Sequence, residues 1–264
     1  MSEVKWLQKI DSHIMNKKSK NFVGYEDIRQ EICNLIKLFY KNETELFEVC
    51  NFFDISGKVL LYGEPGSGKT SLAYTIANEL LNGEDEVESY YLPIDKIIVS
   101  DLGRTTKNIN EAFLEIKQVS KEKLVIIILD EVDRFTVNRS NTTEISELKR
   151  MFDEILDFLD TIDIEAKVFI IGITNIKDSL EDAFIRRFSL VKEIRADEKL
   201  LKSFVKKCNE VLKIEMLDEQ IKKFLDANSF TTCNQIKQRY REVLLTRDYS
   251  QWENLKISDF NQEV

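Results

Sequence analysis

The chain has 264 residues, 43% of them hydrophobic, enough for one large domain or for a larger and a smaller one that each bury a core. Its 38 basic and 47 acidic residues leave a net charge of −9, which argues against a general electrostatic footprint on nucleic acid, and no apolar run approaches the length of a membrane span. A single histidine, His13, argues against histidine catalysis, and the four scattered cysteines read as reduced thiols of a cytoplasmic protein.

Residues 1–20 read as a polar N-terminal segment, amphipathic only around Trp6, Leu7 and Ile10, with Lys17-Lys18-Ser19-Lys20 as a solvated linker. Ile28, Ile32, Leu35 and Ile36 recur at helical spacing and predict a helix over 27–38. Residues 58–62 predict a short buried strand, and 71–80 an amphipathic helix closed by the acidic turn 82–86. Between strand and helix stands Gly63-Glu64-Pro65-Gly66-Ser67-Gly68-Lys69-Thr70, followed by Ser71, a complete phosphate-binding loop in a chain with only eight glycines. Its glycines let backbone N–H groups turn inward around a β-phosphate, and the helix N-terminus adds partial positive charge. Lys69 is then placed to reach the β- and γ-phosphates, and the Thr70 hydroxyl to ligate Mg²⁺. The expected ligand is ATP with Mg²⁺.

Residues 90–94 predict a second strand, and 105–116 a helix through Ile109, Phe113 and Ile116. The continuous apolar run 124–129 fits a parallel strand buried on both faces. It delivers Asp130-Glu131 at its C-terminal end, sixty-one residues after Lys69. That end of an α/β sheet is where such folds put their chemistry. Asp130 is the expected Mg²⁺ ligand, and Glu131 the group that polarises the attacking water. A helix over 144–159 and a strand over 168–173 follow, the strand leading to Asn175, a candidate hydrogen-bond donor to γ-phosphate and water. Alternating strands and helices predict a right-handed, doubly wound parallel sheet of five strands. After about Ala196 only helical patterns remain, over 197–212, 217–227 and 234–247. The expected organisation is the polar segment 1–20, a nucleotide-binding α/β subdomain over 21–195 and a helical lid over 196–264.

Beyond the phosphate loop, the chain resembles the AAA family of ATPases in the narrow sense, the group containing katanin, spastin and the membrane-anchored bacterial metalloprotease ATPases. Phe22-Val23-Gly24-Tyr25-Glu26-Asp27 is similar to the family's entry segment, which implies that Val23 and Gly24 line an adenine pocket. Asp130-Glu131-Val132-Asp133-Arg134 is similar to the Walker B extension, and Ile173-Thr174-Asn175 to the sensor 1 strand. The segment 180–188 is similar to the arginine-finger segment, with Arg186 and Arg187 as fingers that stabilise charge on a neighbour's transferred phosphoryl group. The resemblance covers roughly residues 22–242. It implies a homo-oligomer, a ring usually of six that assembles with ATP, acting on another protein.

The chain departs from that pattern in two places. Aligned on Gly103, Asp101 stands where polypeptide-threading members carry an aromatic pore-loop residue. Only some twenty residues precede the ATPase module, so a substrate-recruiting domain is not expected, and Trp252 and Phe260 are expected to pack against the lid. Thr232-Cys233-Asn234 occupies the place of the family's Gly-Ala-Asp signature, which leaves Arg239 and Arg241 as expected surface residues. The leading expectation is an ATP hydrolase that remodels or disassembles a partner protein. An alternative is a non-threading regulatory ATPase subunit that gates a partner protease or nuclease in a stress or defence system. A nucleic-acid loader is disfavoured by the acidic balance, and no membrane partner is expected.

Overall fold

The computed structural model describes residues 5–41, 44–81, 87–99, 102–121, 123–136, 145–162 and 167–248, together with 252, 255 and 258–261. The chain divides into two compact units. The first comprises residues 1–22, 26–63 and 69–193, and the second residues 23–25, 64–68 and 194–264.

The first unit is built on one sheet. Its strands are β1 (Gln8–Lys9), β2 (Lys58–Tyr62), β3 (Val87–Leu92), β4 (Leu124–Asp130), β5 (Val168–Thr174) and β6 (Leu190–Glu193), in the spatial order β1-β3-β4-β5-β2-β6. All neighbours are parallel except β1, which pairs antiparallel with β3 through Gln8↔Tyr91 and Lys9↔Tyr90. Every residue of β5 and all but the last of β4 are buried, as a strand covered on both faces requires. Around the sheet run α1 (Ser12–Ser19), α2 (Glu26–Lys41), α3 (Thr44–Phe52), α4 (Lys69–Leu81), α5 (Ile94–Ile97), α6 (Leu102–Val119), α7 (Ile145–Thr161) and α8 (Asp182–Ile185).

Five expectations change here. The sheet has six strands rather than five, because two residues of the supposed polar segment pair with the edge of β3. That segment is also anchored: Trp6 and Leu7 are buried, and their backbone N–H groups donate to the Glu115 carboxylate at 3.0 and 2.9 Å. Lys17-Lys18-Ser19-Lys20 is exposed at its three lysines, as expected, but it is not a linker. It closes α1, with the Lys18 ammonium 3.6 Å above the Tyr74 ring and Ser19 Oγ accepting from Asn78. The helix after the phosphate loop is therefore not amphipathic in the ordinary sense, since α1 covers the face that periodicity left to solvent. Strand β3 begins at Val87 and stops at Leu92, because Pro93 has no N–H to continue the ladder.

The second unit holds α9 (Glu198–Leu212), α10 (Asp218–Asn228), α11 (Cys233–Leu245) and α12 (Ser258–Asn261). Asp197 caps α9 by accepting from the Leu200 N–H at 2.7 Å, and Thr232 and Gln235 form a capping box on α11. Its core gathers Val205, Ile221, Phe224, Ile236, Tyr240 and Phe260, with Trp252 packed against it and donating to the Leu244 carbonyl. Arg239, expected at the surface, is largely buried and donates from Nε to the Phe260 carbonyl. Arg241 is exposed.

Candidate nucleotide-binding site

Strand β2 lies between β5 and β6 and ends where Gly63-Glu64-Pro65-Gly66-Ser67-Gly68 turns the chain into α4. The turn closes on Ser67 N–H donating to the Glu64 carbonyl at 3.2 Å. Gly63, Gly66 and Gly68 all adopt positive φ, at 146°, 82° and 105°. Backbone of this kind turns successive N–H groups toward the concave side of a loop, where an anion can bind. Helix α4 starts at Lys69, and the start of a helix carries partial positive charge.

In the first unit, Lys69 Nζ donates to the Gly63 carbonyl at 2.8 Å. Burial lowers its pKa, and the nearby Asp130 and Asp133 carboxylates oppose that shift. Thr70 Oγ1 donates to Asp130 Oδ2 at 2.9 Å, joining the first turn of α4 to the end of β4. The other oxygen, Oδ1, accepts from the Glu131 N–H at 3.0 Å. The half-buried Ser71 lends its carbonyl to the Thr75 hydroxyl at 2.8 Å, inside α4.

Glu131 breaks from the strand with φ 59° and is exposed, its carboxylate paired with Arg134 at 2.6 Å. Asn175 is exposed just past the end of β5, two residues beyond Ile173, the register partner of Asp130. The two strand ends are tied by Thr174 Oγ1 donating to Asp133 Oδ1 at 2.7 Å.

The second unit holds Val23, Gly24 and the stretch Glu64–Gly68. Tyr25, in left-handed backbone at φ 60°, donates its hydroxyl to the Ser67 carbonyl at 2.9 Å. Thr231 Oγ1 donates to the Glu64 carboxylate at 3.2 Å, and Asn234 packs on Gly66. Gly24, at φ 90°, lies so close to Leu200 that a Cβ there would collide with it.

The arginine pair lies apart from the acids: among the described residues, neither Arg186 nor Arg187 bonds to Asp130 or Glu131. Arg187 bonds to Asp160 at 2.6 Å and to the Ala183 carbonyl, while Arg186 is exposed and uses only Nε, on the Asp182 carbonyl at 3.3 Å. The pore-loop reading cannot be followed to its key residue, because Ser100 and Asp101 lie outside the described residues. Gly103, Arg104 and Thr105 lie in the first turn of α6.

Periodicity and motif spacing do not signal Lys18, Tyr25, Arg134 or Thr231, since each arrives from an element distant in sequence or makes an ordinary-looking local pair. Thr70 Oγ1 and Asp130 Oδ2 are hard oxygen atoms of the kind Mg²⁺ prefers, and these two residues would hold it. Among the described residues there is no cluster of three His, Cys, Asp or Glu side chains suited to hold a metal by itself.

Comparison with known proteins bears on the family and the fold. Residues 59–196, just over half of the chain, match the family described as "ATPase family associated with various cellular activities (AAA)". Cell division protein C of Sulfolobus acidocaldarius is 32% identical over 189 residues, covering 68% of this chain and 47% of that protein. The proteasome-activating nucleotidase of Methanocaldococcus jannaschii is 32% identical over 205 residues, covering 71% of this chain and 45% of that protein. The chain thus spans less than half the length of these relatives. Among solved structures, the E. coli MS115-1 HORMA:CdnC:Trip13 complex contains a chain with TM-score 0.77 at 16% identity, covering 99% of this chain and 95% of that one. PCH-2 of C. elegans gives TM-score 0.74 at 16% identity, covering 97% of this chain and 72% of that one. At that identity the two structures speak for the fold alone. No helix among the described residues is long and apolar enough to cross a membrane. The match over more than half its length makes this chain a member of the AAA family of ATPases.

Proposed function

We propose that the chain hydrolyses ATP to ADP and phosphate at the phosphate loop and the β4 acids, and that it does so as an oligomeric ring acting on a partner protein. The observation that carries this reading is the 2.9 Å bond from Thr70 to Asp130, which brings the start of the phosphate-loop helix to the strand end that bears Glu131. Gly63, Glu64, Pro65, Gly66, Ser67, Gly68, Lys69, Thr70 and Ser71 bind the phosphates, and Val23 and Gly24 the base. Mg²⁺, held by Thr70 and Asp130, neutralises phosphate charge when bound. Glu131 accepts a hydrogen bond from the attacking water and turns its lone pair toward the γ-phosphorus. Asn175 fixes that water and a γ-oxygen together. The Arg186-Arg187 turn serves the nucleotide of a neighbouring copy, which is why activity requires assembly, with six copies expected.

One relative supports action on a partner, since it is named a proteasome-activating nucleotidase. Asp101 supports a second reading, a regulatory ATPase that gates an effector without threading polypeptide, since a carboxylate lacks the apolar face that grips a chain. The four cysteines without disulfides support a cytoplasmic setting, and the acidic balance disfavours nucleic acid as partner.

Glu131→Gln tests the site and the assembly at once. Without the carboxylate, turnover should fall by about 10²-fold or more while ATP still binds. Light scattering of that variant should show a ring-sized species with Mg·ATP and a smaller one without it. Normal turnover would remove Glu131 from the mechanism, and a persistent monomer would remove the shared site.

A further inference from the structure

Adjacent arginines in a turn look equivalent in sequence, but here they are bonded very differently. Arg187 is three-quarters buried, at 24% side-chain exposure. One terminal nitrogen bonds to Asp160 Oδ2 at 2.6 Å, the other to the Ala183 carbonyl one turn back, and Nε is buried without a hydrogen-bond partner. Its backbone is held as well: the N–H donates to the Phe184 carbonyl at 3.2 Å, and the carbonyl accepts from Ser56 Oγ at 3.4 Å. Phe184 and Phe188 are buried on either side. Arg186 is exposed, and among the described residues its two terminal nitrogens have no partner in their own chain.

Asp160, the anchor of Arg187, has a half-exposed side chain, at 52%, but it stands on a helix end that is held in place. Asp160 lies in the last turn of α7, whose end carries partial negative charge. The buried Lys58 ammonium of β2 caps that same end, donating to the Leu159 and Ile162 carbonyls at 2.6 and 3.3 Å. Two cations from separate elements thus converge on one helix terminus, and the turn after α8 is locked to α7 and β2. Sending Arg187 across to another molecule would strip Asp160 of its partner and empty a buried niche. Sending Arg186 across breaks one long bond to a carbonyl.

We infer that the two arginines divide the work: Arg186 alone crosses to the nucleotide of a neighbouring copy, and Arg187, pinned by Asp160, is a positioning residue that aims it. This rests on the shared-site reading above. The physical gain is preorganisation, because a turn locked before assembly presents the guanidinium without a search among rotamers.

Steady-state turnover of the full chain separates the roles, with melting curves confirming that each variant folds. Arg186→Ala should lower kcat by about 10³-fold. Arg187→Ala and Asp160→Asn should each lower it by about tenfold with KM for ATP unchanged, and the double variant should be no worse than either, since both remove one interaction. Arg187→Lys, which keeps the charge, should recover part of the loss. A mixing experiment reads the aim directly. Subunits carrying Arg186→Ala keep Glu131, and Glu131→Gln subunits keep Arg186, so mixed rings should regain turnover. The regain should be about tenfold smaller when the Glu131→Gln donor also carries Asp160→Asn, an effect on a neighbour's active site that a local packing role would not produce. If Arg187→Ala is as inactive as Arg186→Ala while Asp160→Asn turns over normally, Arg187 touches the nucleotide and the division is wrong. Full turnover in both arginine variants would instead overturn the shared site itself.

Discussion

At Gly66, backbone conformation and packing both act on one residue. Its φ of 82° lies in the left-handed region, and an added Cβ would stand 2.9 Å from the Asn234 Cβ. Left-handed backbone costs a residue with a side chain roughly 1–2 kcal/mol. Gly66→Ala should therefore destabilise the fold by about that much or slightly more, read from denaturant unfolding. Because Asn234 supplies the obstructing atom, Asn234→Gly should relieve part of the loss, so that the pair is less than additive. Strict additivity would show that only the dihedral matters. At this scale the sequence was highly legible for the phosphate loop, where spacing dictates chemistry. It was poorly legible for Arg186 and Arg187, because two identical side chains differ only in what they meet after folding.

At the scale of elements, the join between β1, β3 and the start of β4 depends on one carboxylate. Glu88 on β3 accepts from Lys9 at 2.7 Å, from Lys123 at 2.9 Å and from the Tyr90 hydroxyl at 2.7 Å. Burial alone would raise its pKa, but these three hydrogen bonds override it and hold the carboxyl at about 2, against an ordinary 4.5. A depressed carboxyl stabilises the fold fully above pH 4.5, and that contribution is lost as pH falls toward 2. Glu88→Gln should thus melt lower than the parent near neutral pH, and the gap should close between pH 4.5 and 2 in a series of thermal melts. A gap that survives at pH 2 would show that packing, not ionisation, carries the effect. The central strands announced themselves as unbroken apolar runs. Strand β1 did not, since two residues with no alternation carry no signal until an edge is present to pair with them. Strand β6 was equally silent, being three half-exposed residues, one of them a lysine, and an exposed glutamate.

At the scale of the whole molecule, nucleotide binding should appear as added stability, because a ligand that binds only the folded state stabilises it by mass action. At ATP a hundredfold above its Kd the gain is about 2.7 kcal/mol. The melting temperature should rise accordingly with Mg·ATP, and Lys69→Ala should lose that rise without losing its fold. An equal rise in the variant would place binding elsewhere. What the sequence determined by itself is everything that depends on local order: the central buried strands, the phosphate loop, the acids at the end of β4 and the run of helices at the end. These are short-range patterns, written in spacing and hydropathy. What only the tertiary structure decided is which distant groups meet: Lys18 over Tyr74, Tyr25 on Ser67, and Arg187 on Asp160 rather than outward beside Arg186. Those partners are set by which surfaces remain to be covered once the sheet has closed, a property of the assembled core that no stretch of sequence carries alone.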